Sequence, residues 1–402
     1  MARTTMPWFI IAAFMLTAAV SALQFVPEVT MSLDDAPEHR WIPAIDAVVH
    51  AHGINNSICA VLNFYIPVLG ILPADTGSIL AATIKARYPT RYAELQGICD
   101  RVTKLGCPVQ IDTLAPFFYF YELMHINAFQ EAYHQAAAGT ASGHRHLHRQ
   151  RPTAAASSWR RSCTGILSLP VDRSQPIIHG RNMDESPHQG RNMTLRINVT
   201  KGGKLLYQIA DWTWITTGFF TSQRFGGVSL EQNWREADSF TYQEVMANIA
   251  NPKSNPFVTM YRAIQEGEMD FDAAVSFLTD ANNMAPFYVI MSGTKRRGAI
   301  LSIDANASLT HREFLHDGMN VTFKVQTNYD RWLPDPADDD RRTVAENTLS
   351  MMGRPRSGTE LGVWMALSTF PVHNPTTMFT ALLGAERPVA EVYVRQAMDL
   401  HP

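Results

Sequence analysis

Cys163 stands at the head of an apolar run, Cys163 to Leu169, directly after the stretch Ser157-Ser158-Trp159-Arg160-Arg161-Ser162. A cysteine that opens a strand just past an exposed linker has what a self-processing nucleophile requires. Cleavage between Ser162 and Cys163 would leave an α-amine beside the thiol. Such an amine titrates at about 8, so it can act as the local base without a histidine. A lone cysteine on an apolar strand is more often buried filler, but the surroundings here carry charge. His179-Gly180-Arg181-Asn182-Met183-Asp184 ends the strand expected to pair with the one Cys163 opens, which brings Arg181 and Asp184 close to the thiol. Charges ending a strand in an apolar context are costly unless paired or used. Further on, Gln326-Thr327-Asn328-Tyr329-Asp330-Arg331-Trp332 precedes Asp338-Asp339-Asp340-Arg341-Arg342-Thr343, a charge run that adjoins an aromatic strand end.

The elements that must position these residues are of two kinds. Beyond Cys163 the pattern is of strands: Cys163 to Leu169 and Ile177 to Met183 form a hairpin around a Pro, Asp and Ser turn. Thr194 to Thr200 alternates, Gly202-Gly203 supplies positive φ for a tight turn, and Leu205 to Ala210 returns. Further strands are expected at Phe287 to Met291, Ala299 to Ile303 and Val321 to Thr327, with helices at Phe240 to Ala250 and Phe271 to Leu278. The region 163–402 thus reads as layered sheets flanked by helices, an α+β fold. Residues 23 to about 124 read as mostly helical, densest in aromatics at Pro116 to Leu123, which is expected to be core or a lipid entrance. From 125 to 160 the composition turns to Ala, Ser, His and Arg, and predicts an exposed linker. Its His144, His146 and His148 have no acidic or thiol partner at ligand spacing, so no metal site is expected.

Composition narrows the class. With 402 residues, 46% hydrophobic and 18% charged, the chain can bury a large core. A net charge of -3, with no basic and aromatic interleaving, argues against nucleic acid as a partner. Arg3, the apolar run Trp8 to Val20 and the small residues Ser21 and Ala22 predict a signal peptide over 1–22. An uncleaved signal anchor is the alternative, because the run could reach Val26 and approach the roughly 20 residues that span a bilayer. Sequons at Asn55, Asn192, Asn198, Asn306 and Asn320 fit a glycosylated, lysosomal or secreted protein. Of the four cysteines, Cys59, Cys99 and Cys107 lie upstream, and one disulfide among them would leave Cys163 a free thiol.

At these blocks the sequence resembles the acid ceramidase and N-acylethanolamine acid amidase family, relatives of the bile salt hydrolases and penicillin V acylases. The matching residues are Cys163-Thr164, His179 to Asp184, Gln326 to Trp332 and Asp339 to Thr343, with a fainter match over Met31 to Asp34, Arg40-Trp41 and Tyr119 to Leu123. The resemblance implies an αββα sandwich of the N-terminal-nucleophile kind, made as a proenzyme and split into an alpha chain (23–162) and a beta chain (163–402). It implies Cys163 as nucleophile, Arg181 and Asp184 as holders of its amine and thiol, Asn328 as oxyanion donor and Arg341 as the residue that orders the pocket. The family has an acidic residue between the second and third blocks; Glu231-Gln232-Asn233 occupies that region and Glu231 is the candidate. The chain departs from the family pattern at Ser162, where an apolar residue is usual, and in the His-rich insert. Arg160-Arg161 also offers a protease a cut that would expose Ser162 instead. The implied activity is hydrolysis of N-acyl lipid amides at a membrane lipid surface, without cofactor. The Gln326 to Trp332 run favours ceramide over an N-acylethanolamine. The alternative of another class is a non-catalytic lipid-binding glycoprotein on the same fold.

Overall fold

The computed structural model describes residues 24–142, 163–235, 240–305 and 311–395. The predicted signal peptide, His144, His146, His148, Ser162 and Asn306 lie outside the described residues.

Two strands open the described chain, β1 (Gln24–Phe25) and β2 (Glu28–Ser32). Seven helices follow: α1 (Ile42–His52), α2 (Ile58–Leu69), α3 (Thr76–Arg87), α4 (Pro89–Lys104), α5 (Ile111–Phe118), α6 (Phe120–Leu123) and α7 (Asn127–Ser142). Pro89 sits in the first turn of α4, where its missing N–H leaves no ladder bond unmade. The helical reading of 23–124 therefore holds except at its start. There, Val29 and Met31 are short apolar positions that complete a sheet contributed by distant sequence.

A second correction concerns the linker expected at 125–160, because its first part is α7. Alanine has the highest helix propensity, and Phe129 and Tyr133, one turn apart, make a buried anchor with no exposed surface. Polar, small-residue composition had masked a two-residue apolar stripe. The disulfide joins Cys59 of α2 to Cys107 just past α4, with Cα atoms 5.9 Å apart. Cys99 remains a buried thiol, its pKa pushed up to about 12 by burial and the nearby Asp100.

After the insert come β3 (Thr164–Ser168), β4 (Ile178–Asp184), β5 (Leu195–Lys201), β6 (Lys204–Asp211), β7 (Thr221–Gln223) and β8 (Val228–Trp234). Helices α8 (Tyr242–Ala250), α9 (Phe257–Glu266) and α10 (Phe271–Asp280) are interleaved with the short β9 (Ser254–Asn255) and β10 (Asn282–Asn283). The chain continues through β11 (Phe287–Gly293), β12 (Arg297–Ile303), β13 (His311–Leu315) and β14 (Phe323–Gln326). It ends with α11 (Arg341–Ser357), α12 (Glu360–Ser368), β15 (Thr377–Leu383) and β16 (Glu391–Val394).

These strands build a six-stranded sheet, β1-β16-β15-β4-β3-β14, and an eight-stranded sheet, β13-β12-β11-β8-β7-β6-β5-β2. The predicted hairpin is present, with Thr164 opposite Asn182 and Gly165 opposite Arg181. Period-two alternation sorts β3 between layers. Ile166 packs with Val325, Leu349, Val363 and Leu367 beneath α11 and α12. Leu167 faces the other way, with Ile177, Tyr288, Ile290 and Ile300 between the sheets. The large remaining core joins the eight-stranded sheet to α9, α10 and the N-terminal helices. The layers are α, β, β, α, the sandwich that the sequence resemblance implied. β1 pairs with β16 and β2 with β5, so the segment before Cys163 contributes an edge strand to each sheet.

Asn55 and Asn320 are exposed, whereas Asn192 and Asn198 are half-buried. Their side-chain amides donate to the Asn56 carbonyl at 2.7 Å and to Glu28 Oε1 at 2.6 Å. Among the described residues no helix is long and apolar enough to cross a membrane, and no group of three or more His, Cys, Asp or Glu is placed to hold a metal ion.

Candidate active site

Cys163 lies one residue before β3, buried between the two sheets. Its backbone N–H donates to Asn328 Oδ1 at 3.1 Å. Its Sγ is 3.6 Å from Arg181 Nη2 and 3.5 Å from Met183 Sδ. Arg181 and Met183 project from β4 on the face that Cys163 shares, as alternation along the hairpin dictates. Burial pushes the thiol pKa up; Arg181 opposes that shift and Asp184 adds to it.

Arg181 is a strut between the sheets. Nη1 donates to the Phe220 carbonyl at 2.7 Å and to Thr221 Oγ1 at 2.6 Å, while Nη2 donates to the Gln232 carbonyl at 3.0 Å. A planar guanidinium can satisfy partners on β7, β8 and the thiol at once. Its burial is offset by the cysteine, Glu231 and Asp211, which together hold its pKa up.

Arg341, the first residue of α11, reaches the same place from the opposite side. Nη1 donates to the Cys163 carbonyl at 2.9 Å and Nη2 to Asn328 Oδ1 at 3.0 Å. Asp339 fixes it with two bonds, Nε to Oδ1 at 2.8 Å and Nη2 to Oδ2 at 2.6 Å, a bidentate geometry. Asn328 thus bridges the Cys163 backbone and Arg341, and its Nδ2 donates to the Trp234 carbonyl at 2.9 Å.

Asp184 is fully buried. Oδ2 accepts from Asn374 Nδ2 at 3.1 Å and lies 4.0 Å from Arg341 Nη1, while Oδ1 has no hydrogen-bond partner among the described residues. Burial pushes its pKa up to about 7, with Arg341 pulling the other way.

Cys163, Arg181, Asp184, Asn328 and Arg341 therefore converge, although 178 positions separate the two most distant, Cys163 and Arg341. Glu231 does not line the cavity at Cys163. Its carboxylate is 2.9 Å from His179 Nε2 and 3.9 Å from Arg181 Nε, above Gly165. A Cβ on Gly165 would come within 2.7 Å of both Glu231 oxygens, so only glycine admits that carboxylate there.

Sequence reasoning missed Trp234 and Gln232, which line the cavity together with Phe120, Met124 and Phe220. The signal was available: on β8, Gln232 and Trp234 alternate with Glu231 and Asn233, so one face of the strand gives the cavity Gln232 and Trp234. Asp339, in the block that carries the family resemblance, is the acidic neighbour that holds Arg341. The cavity admits about 30 Å³ of water-sized space, room for two or three waters at roughly 10–15 Å³ each. A second cavity shares Phe120, Glu185 and Phe220 with the first and runs on to Val61, Tyr65 and Phe117.

A cysteine heading a central strand of an αββα sandwich, with an arginine at its thiol and an asparagine at its backbone nitrogen, defines an N-terminal-nucleophile hydrolase fold. In sequence the chain is similar to acid ceramidases and N-acylethanolamine acid amidases, in line with the resemblance of its sequence blocks. It is 27% identical over 241 residues to an N-acylethanolamine-hydrolyzing acid amidase of Caenorhabditis elegans, a stretch covering 60% of this chain and 66% of that relative. The match therefore spans just under two thirds of that relative's own length. To an acid ceramidase of Mus musculus it is 26% identical over 397 residues, covering 93% of this chain and 87% of the relative. A solved structure of the Caenorhabditis elegans N-acylethanolamine-hydrolyzing acid amidase ortholog superposes with a TM-score of 0.51 at 25% identity, over 58% of this chain and all of that one. No family model matches the chain.

Proposed function

We propose that this chain cuts itself before Cys163 and then hydrolyses the amide bond of N-acyl lipids, ceramide ahead of N-acylethanolamines. The observation that carries the reading is the grip on Cys163: Asn328 on its N–H, Arg341 on its carbonyl and Arg181 on its thiol. A structural cysteine needs none of these.

In maturation the Cys163 thiol attacks the Ser162 carbonyl carbon. The peptide nitrogen leaves as the Cys163 α-amine, and water cleaves the resulting thioester to give a carboxyl-terminal Ser162. In turnover the α-amine takes the thiol proton and the thiolate adds to the substrate carbonyl. The tetrahedral oxyanion collapses as the leaving amine is protonated by the α-ammonium, and water hydrolyses the acyl-thioester to fatty acid. The unsatisfied Asp184 Oδ1 is a buried acceptor suited to the new ammonium. Asn328 would hold the amine through Oδ1 and serve the oxyanion through Nδ2, which costs its bond to the Trp234 carbonyl.

The cut would yield an alpha chain (23–162) and a beta chain (163–402) that stay together through β1 and β2. Exposed Ile66, Ile71 and Ile79 support contact with lipid surfaces, and the predicted leader supports a lysosomal or secreted location. The test is hydrolysis of a fluorescent ceramide and a fluorescent N-acylethanolamine by acid-treated protein, with Cys163→Ala as control. Turnover that persists in Cys163→Ala sinks the reading, and a wild-type chain that binds both lipids but cleaves neither indicates the non-catalytic alternative.

A further inference from the structure

The second cavity has more polar chemistry than an acyl pocket needs. Its walls are Val61, Tyr65, Phe117 and Ile215, but Thr213 and Thr216 also line it. Both threonines are at most 5% exposed, and neither hydroxyl has a hydrogen-bond partner among the described residues. Buried hydroxyls left without partners are rare, because each forfeits its bonds to water. Two in one cavity, beside a carboxyl, point to a ligand that supplies the missing bonds.

That carboxyl is Glu185, which lines both the nucleophile's cavity and this one. Its Oε1 accepts from the Tyr133 hydroxyl and from the Ser186 N–H. No hydrogen bond from a described residue reaches Oε2. Burial pushes its pKa up to about 8, so below neutrality it is a neutral acid that can donate as well as accept.

We propose that Glu185, with Thr213 and Thr216, forms the subsite that selects a hydroxyl-bearing amine portion of the substrate, next to the amide held at Cys163. This rests on the amide-hydrolase reading above. Glu185 follows Asp184 directly on the strand end, so one short segment presents both the nucleophile's partner and the headgroup's. A hydroxyl one or two carbons from the scissile nitrogen fits this arrangement; a purely alkyl amine would leave the two threonine hydroxyls unpaired, which is how a site rejects an isostere lacking a hydroxyl.

The experiment uses processed wild-type protein and two amides with the same fluorescent acyl group, one on 2-aminoethanol and one on propylamine. The wild type is expected to favour the hydroxylated amide in kcat/KM by roughly tenfold or more, mostly through KM. Glu185→Ala and the double variant Thr213→Val, Thr216→Val should bring the ratio towards one, whereas Glu185→Gln, which keeps a donor and an acceptor, should retain most of the preference. No preference in the wild type overturns the assignment whatever the variants do. A ratio unchanged in Glu185→Ala, or Glu185→Gln losing both substrates equally, overturns it too, since either means the residue does not read the hydroxyl. A wild type that cleaves neither amide overturns the hydrolase reading as well, and so separates the two failures.

Discussion

Asn328 holds Cys163 by its backbone, with Oδ1 accepting the Cys163 N–H at 3.1 Å while Arg341 donates to the same oxygen at 3.0 Å. The amide thus acts on the nucleophile before any substrate arrives, a contact that a purely oxyanion-directed reading of Asn328 does not include. Asn328→Ala should therefore slow precursor cleavage and also lower turnover by roughly a hundredfold or more. Band densitometry of processing and single-turnover hydrolysis on one preparation will show both effects. Normal processing with full turnover removes Asn328 from the mechanism.

Arg181 satisfies two carbonyls, a hydroxyl and the thiol from one planar head. Lysine keeps the charge but offers a single point, so Arg181→Lys should fold and yet fail to rescue processing or hydrolysis, falling roughly a hundredfold below wild type. Near-normal rates in Arg181→Lys, measured on protein with an unchanged Tm, would mean that charge alone suffices.

Glu122 and Glu185 are both pushed up to about 8, and Asp184 to about 7, in each case by burial. These carboxyls bind their protons more tightly folded than unfolded. Their contribution is therefore present at the ordinary carboxylate range and is lost as pH rises through about 7 to 8. Against them, Glu94 is held below its usual range by Arg262 and Arg91 despite its burial, and that contribution is lost in strong acid. Tm should peak on the acid side of neutrality and fall between about pH 5 and pH 9. Glu122→Gln should flatten the fall; a Tm that rises steadily over that span contradicts the account.

Phe129 and Tyr133 anchor α7 with no exposed surface. Deleting residues 143–158 should spare folding and the cut at Cys163, whereas Phe129→Ala should cost about 3–5 kcal/mol of stability. Denaturant unfolding compares the two directly, and a deletion as damaging as Phe129→Ala places structural weight in the insert itself.

How far the sequence reached depended on the range of the physics involved. The β3–β4 and β5–β6 hairpins were legible because alternation and turn chemistry are local, as Gly202-Gly203 illustrates with φ of 57° and 70°. β2 was not, because a five-residue strand pairing in parallel with β5 across more than 160 positions leaves no local mark. α7 hid behind its composition. At the site, the blocks around Cys163, Arg181, Asn328 and Arg341 were each visible, but their mutual distances follow from sheet order. Glu231 shows the limit: its residue type suited an acidic role, but that its carboxylate meets His179 and Arg181 follows from how the two sheets pack.

Everything proposed for the site requires that Cys163 become an amino terminus by its own chemistry. Acid incubation of purified precursor, followed by intact mass and N-terminal sequencing of the fragments, tests it most directly. The wild type should give a fragment beginning at Cys163, and Cys163→Ala should stay an uncut chain. A fragment beginning at Ser162, or the same cut in Cys163→Ala, would contradict it.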